Sequence, residues 1–194
     1  MTSTASADTD ISVHRADVPV RALSGSLSAD EFKTLFRGHP GGVAVITADD
    51  GTGPVALTAT SVSSVSAEPP LLVFSVSAIS SAAPVITAST HVVIHLLDAD
   101  DLDIAKLGAT SGIDRFADAS LWSRLVTGEP VFHGVRAWVR CAIVQTMDAG
   151  GSTIVAAHAL QSSVQRDVTP DDAGRPLVYH NRVWHRLGDH SRVE

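Results

Sequence analysis

Short apolar segments separated by tight turns run along most of this chain and restrict the folds that it can adopt. Val43–Thr47 predicts a buried strand, Asp49–Gly53 a turn, and Pro54–Thr60 the returning strand of a hairpin. Further strands are predicted at Leu71–Val76, His91–Leu97, Leu177–His180 and Val183–Leu187, with a long hairpin formed by Val135–Met147 and Ser152–Gln165. Because these strands follow one another with only short helices between them, an antiparallel barrel is favoured over a doubly wound parallel sheet.

Three short helices are predicted between the strands. Ser28 and Glu31 have the spacing of a capping box, and apolar side chains lie on one face of the helix that follows. A second helix is predicted at Ser80–Ser89 and a third at Asp101–Leu107. The segment Gly108–Pro130 is predicted to be rich in loops.

The length of 194 residues predicts one domain with a sizeable core. Residues 1–26 are polar and without a period, so we expect a flexible leader followed by a folded domain over residues 27–190. No apolar run is long enough to span a bilayer, and no apolar segment of a secretory signal is visible near Met1. We therefore expect a cytoplasmic protein that does not contact a membrane.

The formal net charge of −7 argues against nucleic-acid binding, which needs a basic face. The same charge means that an anionic ligand has to be held by local donors. Cys141, the single cysteine, lies in an apolar strand pattern and is interpreted as a small buried hydrophobe. No metal site is expected, because the spacing of His180, His185 and His190 matches no zinc pattern.

The stretch Thr58–Pro70 differs in composition from the apolar strands on either side of it. Six of its first nine residues carry a hydroxyl, and none of the nine is larger than Val. Small side chains let a backbone approach a ligand closely, and hydroxyls with backbone N–H groups can hold phosphates and heterocycle edges. The sequence therefore predicts a ligand-binding loop here, and a solvated edge strand without a ligand is the alternative.

Motifs on both sides of this stretch occur in a definite order. They are Phe36–Thr47, Leu57–Leu71, Phe74–Ser77 with Ser80 and Ser81, Val92–Leu97, Asp114–Phe116 and Pro176–Tyr179. This order and spacing resembles the flavin reductase-like family, the FMN-binding split barrels that serve as reductase components of two-component monooxygenases. The similarity extends from about Leu27 to Leu187, and Thr58–Pro70 is its most specific part.

The resemblance implies an antiparallel split β-barrel, mainly β with short helices, that forms a homodimer with one flavin per subunit. It implies that Thr58–Ser61 line the flavin ring edge, that Ser75–Ser81 help to hold the phosphate, and that Arg115 lies near the outer part of the flavin. The full set of implied flavin-binding residues is Pro40, Gly41, Thr58, Ala59, Thr60, Ser61, Ser64, Val65, Ser75, Ser80, Ser81, Arg115 and Phe116.

Members of the family reduce flavin with a nicotinamide nucleotide and pass the reduced flavin on. The resemblance therefore implies FMN or FAD as the flavin, NADH or NADPH as the electron donor, and a flavin-dependent monooxygenase as a partner. Hydride transfer needs orientation and exclusion of water rather than a protein acid, so the lack of a catalytic triad is expected. Two alternatives are a flavin carrier without efficient nicotinamide-dependent activity and a cofactor-free interaction domain.

One motif departs from the family pattern. The family commonly has Gly-Asp-His after the first arm of the long hairpin, and its His is thought to help place the nicotinamide nucleotide. Here Gly150–Ser152 occupies this position, and a serine cannot stack or carry charge. Ser152 and His95 are the candidates for contacts with the nicotinamide, although His95 on its apolar strand is also explained as a buried structural histidine.

Overall fold

The computed structural model describes residues 25–165 and 174–193, which are mainly β with three short α-helices. The helices are α1 (Ala29–Arg37), α2 (Ala83–Ala88) and α3 (Leu102–Ala109). The strands are β1 (Gly41–Gly42), β2 (Ala44–Ala48), β3 (Val55–Ala59), β4 (Ser63–Ala67), β5 (Pro70–Ser77), β6 (His91–Leu96), β7 (Trp122–Arg124), β8 (Pro130–Phe132), β9 (Ala137–Ala149), β10 (Ser152–Val164), β11 (Leu177–His180) and β12 (Val183–Arg186). The predicted leader falls almost entirely outside the described residues.

Seven strands form one antiparallel sheet in the order β3-β2-β6-β9-β10-β5-β4. Its two edge strands, β3 and β4, follow one another in the chain and are joined by residues 60–62 alone. A connection of this length spans at most about 14 Å, whereas the edges of a flat seven-stranded sheet would lie about 29 Å apart. The sheet therefore curls until its two edges meet at the hydroxyl-rich segment.

A reciprocal hydrogen bond holds the end of β3 against β5, the strand next to the other edge. The backbone N–H of Ser75 on β5 donates to Ser61 Oγ at 3.0 Å, and Ser61 Oγ donates to the Ser75 carbonyl at 3.3 Å. The Ser61 side chain thus replaces a strand-to-strand contact between the end of β3 and β5. This contact fixes the position of the hydroxyl-rich segment relative to the sheet.

Strand β2 contributes to two apolar cores because all five of its residues are buried. Side chains alternate between the faces of a strand, so Ile46 packs in a core built from six of the seven strands and α2. Val45 packs in a second core, on the other face of the sheet, with Phe116, Phe132 and Leu177. The second core lies next to a three-stranded sheet of order β1-β11-β12.

Helix α1 is capped as predicted, but its apolar face is open. Ser28 N donates to Glu31 Oε2 at 2.9 Å, and Glu31 N donates to Ser28 Oγ at 3.3 Å, which confirms the capping box. Phe32, Leu35 and Phe36 are 52%, 65% and 53% exposed. The helix therefore adds little to either core and leaves an aromatic surface free.

The predicted strands, helices and long hairpin are present, with ends shifted by a few residues. Within the loop-rich segment the chain also forms β7, which pairs with β8. Cys141 is fully buried, and desolvation raises the pKa of its thiol to about 12. Its interpretation as a buried hydrophobe is confirmed. No helix among the described residues has the length and apolarity that a membrane span requires.

Replacing Gly108 by Ala is expected to destabilise the protein, although Gly→Ala in a helix normally stabilises it. A Cβ at Gly108 would lie 2.5 Å from Thr58 Oγ1 and 3.2 Å from Thr58 N, between α3 and β3. We expect a loss of about 1–3 kcal/mol in the free energy of unfolding, measured by urea titration.

Gly38→Ala is the matched control, because a Cβ there meets only the Leu35 carbonyl at 3.8 Å. Its free energy of unfolding should change by less than about 0.5 kcal/mol. Equal stability of the two variants would contradict the close packing of α3 on β3.

Candidate functional site

The hydroxyl-rich segment runs from the end of β3 through residues 60–62 into the edge strand β4. We expected a loop over the whole segment, but Ser63–Ala67 form strand β4, which pairs with β5. Thr60, Ser61 and Ser64 are exposed, and a register shift directly after Ser64 leaves Val65 58% exposed. An edge strand keeps one row of backbone donors and acceptors unpaired. The segment therefore offers both hydroxyls and backbone groups to a ligand.

Thr58 and Ser61 are the residues of the segment whose hydroxyls bind other parts of the fold and hold it in place, while the Ser63 hydroxyl donates to its neighbour, the Ser64 carbonyl, at 3.4 Å. Thr58 Oγ1 donates to the Ala105 carbonyl of α3 at 2.6 Å, and the Ser61 hydroxyl is bound by Ser75. The hydroxyls of Thr60 and Ser64 have no hydrogen-bond partner among the described residues. These two groups are free to bind a ligand, whereas Thr58 and Ser61 position them.

Gly41 on β1 lies directly against Thr60. A Cβ at Gly41 would lie 2.8 Å from Thr60 Cβ and 3.1 Å from the Thr60 carbonyl, so only glycine permits this approach. Pro40, directly before it, is exposed. Gly41 and Thr60 both line a pocket of about 310 Å³. The structure thus brings the predicted Pro40–Gly41 and Thr58–Ser61 motifs together.

The turn after β5 brings a second group of serines to the same end of the sheet. Ser75 lies beside Ser61, Ser80 Oγ accepts from Ala82 N at 3.3 Å, and Ser81 is exposed. Ser152, the first residue of β10, is paired with Ser77 at the end of β5. The predicted phosphate-binding residues and the Ser152 candidate therefore lie near one another.

Arg115 and Phe116 have different surroundings. Phe116 is 7% exposed, stacks on Phe132 with ring centroids 5.3 Å apart, and belongs to the second core. Its ring therefore packs inside the protein rather than on an open surface. Arg115 Nη2 donates to the Thr110 carbonyl at 2.7 Å, just after α3. Its Nε is buried without a hydrogen-bond partner among the described residues.

His95 is fully buried, and both of its ring nitrogens are used within the protein. Nδ1 donates to the Val45 carbonyl at 2.9 Å, and Nε2 accepts from Phe132 N at 3.0 Å. Desolvation lowers the pKa of His95 to about 4, although the bond to Val45 opposes this shift. His95 is therefore a neutral Nδ1–H tautomer that joins β6 to β2 and β8, and it faces no open surface.

The family model described as the flavin reductase like domain matches residues 36–188. The chain belongs to this family. It is 42% identical over 174 residues to an NADH:FMN oxidoreductase of Rhodococcus qingshengii, a match that covers 88% of this chain and 90% of that protein. The match therefore includes the hydroxyl-rich segment and nearly the whole described fold.

Two solved structures of flavin reductases are similar to this fold. The flavin reductase domain protein of Arthrobacter sp. FB24 is 30% identical, with a TM-score of 0.75, covering 82% of this chain and 95% of that chain. The flavin reductase component of a bacterial two-component tryptophan halogenase is 27% identical, with a TM-score of 0.72, covering 84% and 99%. The mainly β architecture with few short helices is thus that of flavin reductases.

The residues at this site are chemically suited to a flavin. The ring edge of a flavin carries acceptors and one N–H donor, and Thr60 and Ser64 can serve as either donor or acceptor. The buried Nε of Arg115 lacks an acceptor among the described residues, and such a group is costly unless an acceptor reaches it. Both observations match a ligand rich in acceptor atoms.

Sequence reasoning did not identify three basic residues that lie near Gly41. Lys33, Arg37 and Arg182 line the same pocket as Thr60. Gly41 pairs with Tyr179, and this pairing brings the turn after β11 next to α1. Gly41 and Tyr179 are far apart in the chain, so their pairing leaves no local signal in the sequence. Both residues nevertheless lie within motifs that resemble the family.

The buried His95 predicts a loss of stability in acid. Its folded pKa of about 4 lies below the ordinary 6.5, so the unfolded chain takes up a proton that the folded protein does not. His95 therefore stabilises the fold fully above pH 6.5, and this contribution is lost as the pH falls towards 4. The expected loss is about 3 kcal/mol.

Urea unfolding of the wild type and of His95→Gln at several values between neutral pH and pH 4 measures this contribution. The variant should be less stable at neutral pH, and the difference between the two proteins should shrink as the pH falls. Two stability curves that stay parallel over this range would show that His95 is not held neutral.

Proposed function

We propose that this protein is a flavin reductase that transfers hydride from NADH or NADPH to FMN or FAD. The observation that carries the proposal is the pair of free hydroxyls on Thr60, which lies against Gly41, and on Ser64, in a chain of this family. The Rhodococcus relative is named as an NADH:FMN oxidoreductase, and this supports NADH and FMN as the first pair to test.

Some of the flavin-binding residues contact the flavin directly, and the others support the surface from behind. Thr60, Ser64 and the backbone near Val65 contact the flavin edge, and Pro40 and Gly41 shape the surface next to it. The phosphate lies near Ser75, Ser80 and Ser81, and Arg115 contacts the outer part of the flavin. Residues that act from behind this surface are Thr58, Ala59, Ser61 and Phe116.

When bound, the flavin supplies a hydride acceptor that no amino-acid side chain can replace. The protein's contribution is orientation: Thr60 and Ser64 donate hydrogen bonds to the ring edge, where negative charge increases on reduction. Ser61 and Thr58 keep that edge rigid through their bonds to Ser75 and Ala105. No protein acid or base has to move a proton for the transfer itself.

The partner of this reaction is a flavin-dependent oxygenase that receives the reduced flavin. The halogenase component named above supports this assignment, since it serves a two-component enzyme. Release of reduced flavin requires a site that opens to solvent, and Thr60, Ser61 and Ser64 are all exposed.

We infer further that residues 27–190 form a split barrel that dimerises. The curled sheet with meeting edges supports the barrel. Beyond Ala142, β9 pairs with β10 but no longer with β6, and Val144 and Met147 are 54% and 55% exposed on this arm. Light scattering should give twice the mass of one chain, and the mass of a monomer would contradict the dimer.

The reductase activity is tested by the decrease in near-ultraviolet absorbance of NADH or NADPH with purified protein and FMN or FAD. Oxidation above a control with flavin alone is expected. A protein that binds flavin but oxidises neither nucleotide would instead be a flavin carrier, and one that leaves flavin fluorescence unchanged would be a cofactor-free domain.

Thr60→Phe is expected to weaken FMN binding by at least about tenfold, or 1.4 kcal/mol. The larger side chain would fill the ligand-facing surface beside Gly41, while the exposed position keeps the fold intact. FMN affinity is measured by quenching of flavin fluorescence.

Thr52→Phe makes the same change on the exposed turn between β2 and β3, and its FMN affinity should match that of the wild type. Unchanged FMN affinity in a folded Thr60→Phe variant would place the flavin elsewhere.

Ser152→His is expected to raise the kcat/KM for the nicotinamide nucleotide, because it restores the family's imidazole at the end of β10. The effect should be several-fold, in line with one added hydrogen bond or stacking contact. Ser152→Asn is the control, since it adds a polar group without an aromatic ring. A kcat/KM of Ser152→His equal to that of the wild type would contradict a contact between this position and the nucleotide.

A further inference from the structure

The pocket beside Thr60 touches the hydroxyl-rich segment and shares no described lining residue with β5. Its walls come from α1, from Gly41 on β1 and from the turn between β11 and β12. Of the described residues that line it, none belongs to β5 or to α2. The pocket is therefore separate from the serine-rich turn that we assign to the flavin phosphate, although both touch the same segment.

The pocket is positively charged in a chain that is acidic as a whole. Lys33, Arg37 and Arg182 line it, and no Asp or Glu is among its described lining residues, while the chain has 21 acidic and 14 basic residues. Lys33 has an exposed ion pair with Asp30 at 3.7 Å, and such a pair contributes little. Like charges gathered in a concave site attract an oppositely charged ligand, so the pocket suits an anion.

The turn that carries Arg182 has an unfavourable backbone conformation. Asn181 and Arg182 have φ of 48° and 64°, in the left-handed region where glycine is the easiest residue and Arg is uncommon. Asn181 N donates to the Arg37 carbonyl at 3.0 Å, which fixes this turn on the end of α1. The charged residue Arg182 therefore stands at a position of this turn where glycine would be less strained.

One wall of the pocket is aromatic. Phe32, Phe36 and Tyr179 line it, and the rings of Phe32 and Phe36 lie with centroids 4.6 Å apart. Exposed aromatic faces offer a surface on which a flat heterocycle can stack. A ligand that combines phosphate groups with a flat base matches both halves of the pocket.

We propose that this pocket binds the phosphate-bearing part of the nicotinamide nucleotide, with Lys33, Arg37 and Arg182 facing its phosphates. This inference rests on the proposed flavin reductase function. The flavin phosphate lies on the β5 side of the segment, so the second nucleotide reaches the flavin from the α1 side. The pocket then supplies binding that Gly150–Ser152 does not provide.

The test compares Arg182→Gly, Lys33→Gln and the double variant with the wild type. Glycine suits the backbone of residue 182, so the melting temperature of Arg182→Gly should not fall. In the double variant the KM for NADH should rise about tenfold, as expected for lost charged contacts. The kcat should stay within about twofold, because contacts far from the reacting atoms stabilise the bound substrate and the transition state equally. The salt dependence of KM should also weaken.

Lys106→Gln is the charge-matched control for Lys33→Gln, since Lys106 is exposed on α3 and does not line the pocket. It should keep the KM of the wild type. Direct binding of NADH, followed by its own fluorescence, and binding of FMN are measured for the same proteins.

An unchanged dissociation constant for NADH in the double variant, or no NADH binding by the wild type, overturns the inference. A parallel loss of FMN affinity also overturns it, because the pocket would then hold the flavin phosphate. Failure of the proposed function is distinct: the wild type would bind NADH but would not oxidise it in the presence of flavin.

Discussion

The reciprocal hydrogen bond between the Ser61 hydroxyl and the backbone of Ser75 joins the two ends of the seven-stranded sheet. Because β3 and β4 are consecutive and yet lie at opposite edges, the connection between them has to close the curled sheet. The fold itself thereby fixes this connection, with Thr60 and Ser61 exposed and Val62 packed against the first core. Thr58 and Ser61 bind α3 and β5 and so hold the segment in place, while the hydroxyls of Thr60 and Ser64 stay free for a ligand.

Local patterns were sufficient to predict the apolar strands, the capping box at Ser28 and the long hairpin, since each depends on residues close together in the chain, but they missed the edge strand β4 and the short strand β7. Roles that depend on distant pairing could not be predicted in this way. Thr58 was expected at the ligand, but its hydroxyl binds α3. His95 was a candidate for the nicotinamide, yet it joins three strands inside the protein.

The hydroxyl-rich segment separates two chemically different surfaces. On the β5 side, serine hydroxyls and the turn after Ser77 are neutral, and they can hold a phosphate only through hydrogen bonds. On the α1 side, Gly41 permits close contact with a pocket lined by Lys33 and Arg182. Under the two proposals this asymmetry would give the flavin and the nicotinamide nucleotide different positions beside one strand end, and transfer between them requires such an arrangement.

Hydrogen–deuterium exchange with and without saturating FMN tests most directly whether this strand end is the flavin site. Backbone amides that contact a ligand exchange more slowly, so protection is expected in peptides covering residues 58–66 and 75–81, with none in the turn between β2 and β3. Protection confined to other parts of the chain, or no change in exchange at full occupancy by FMN, would contradict the account.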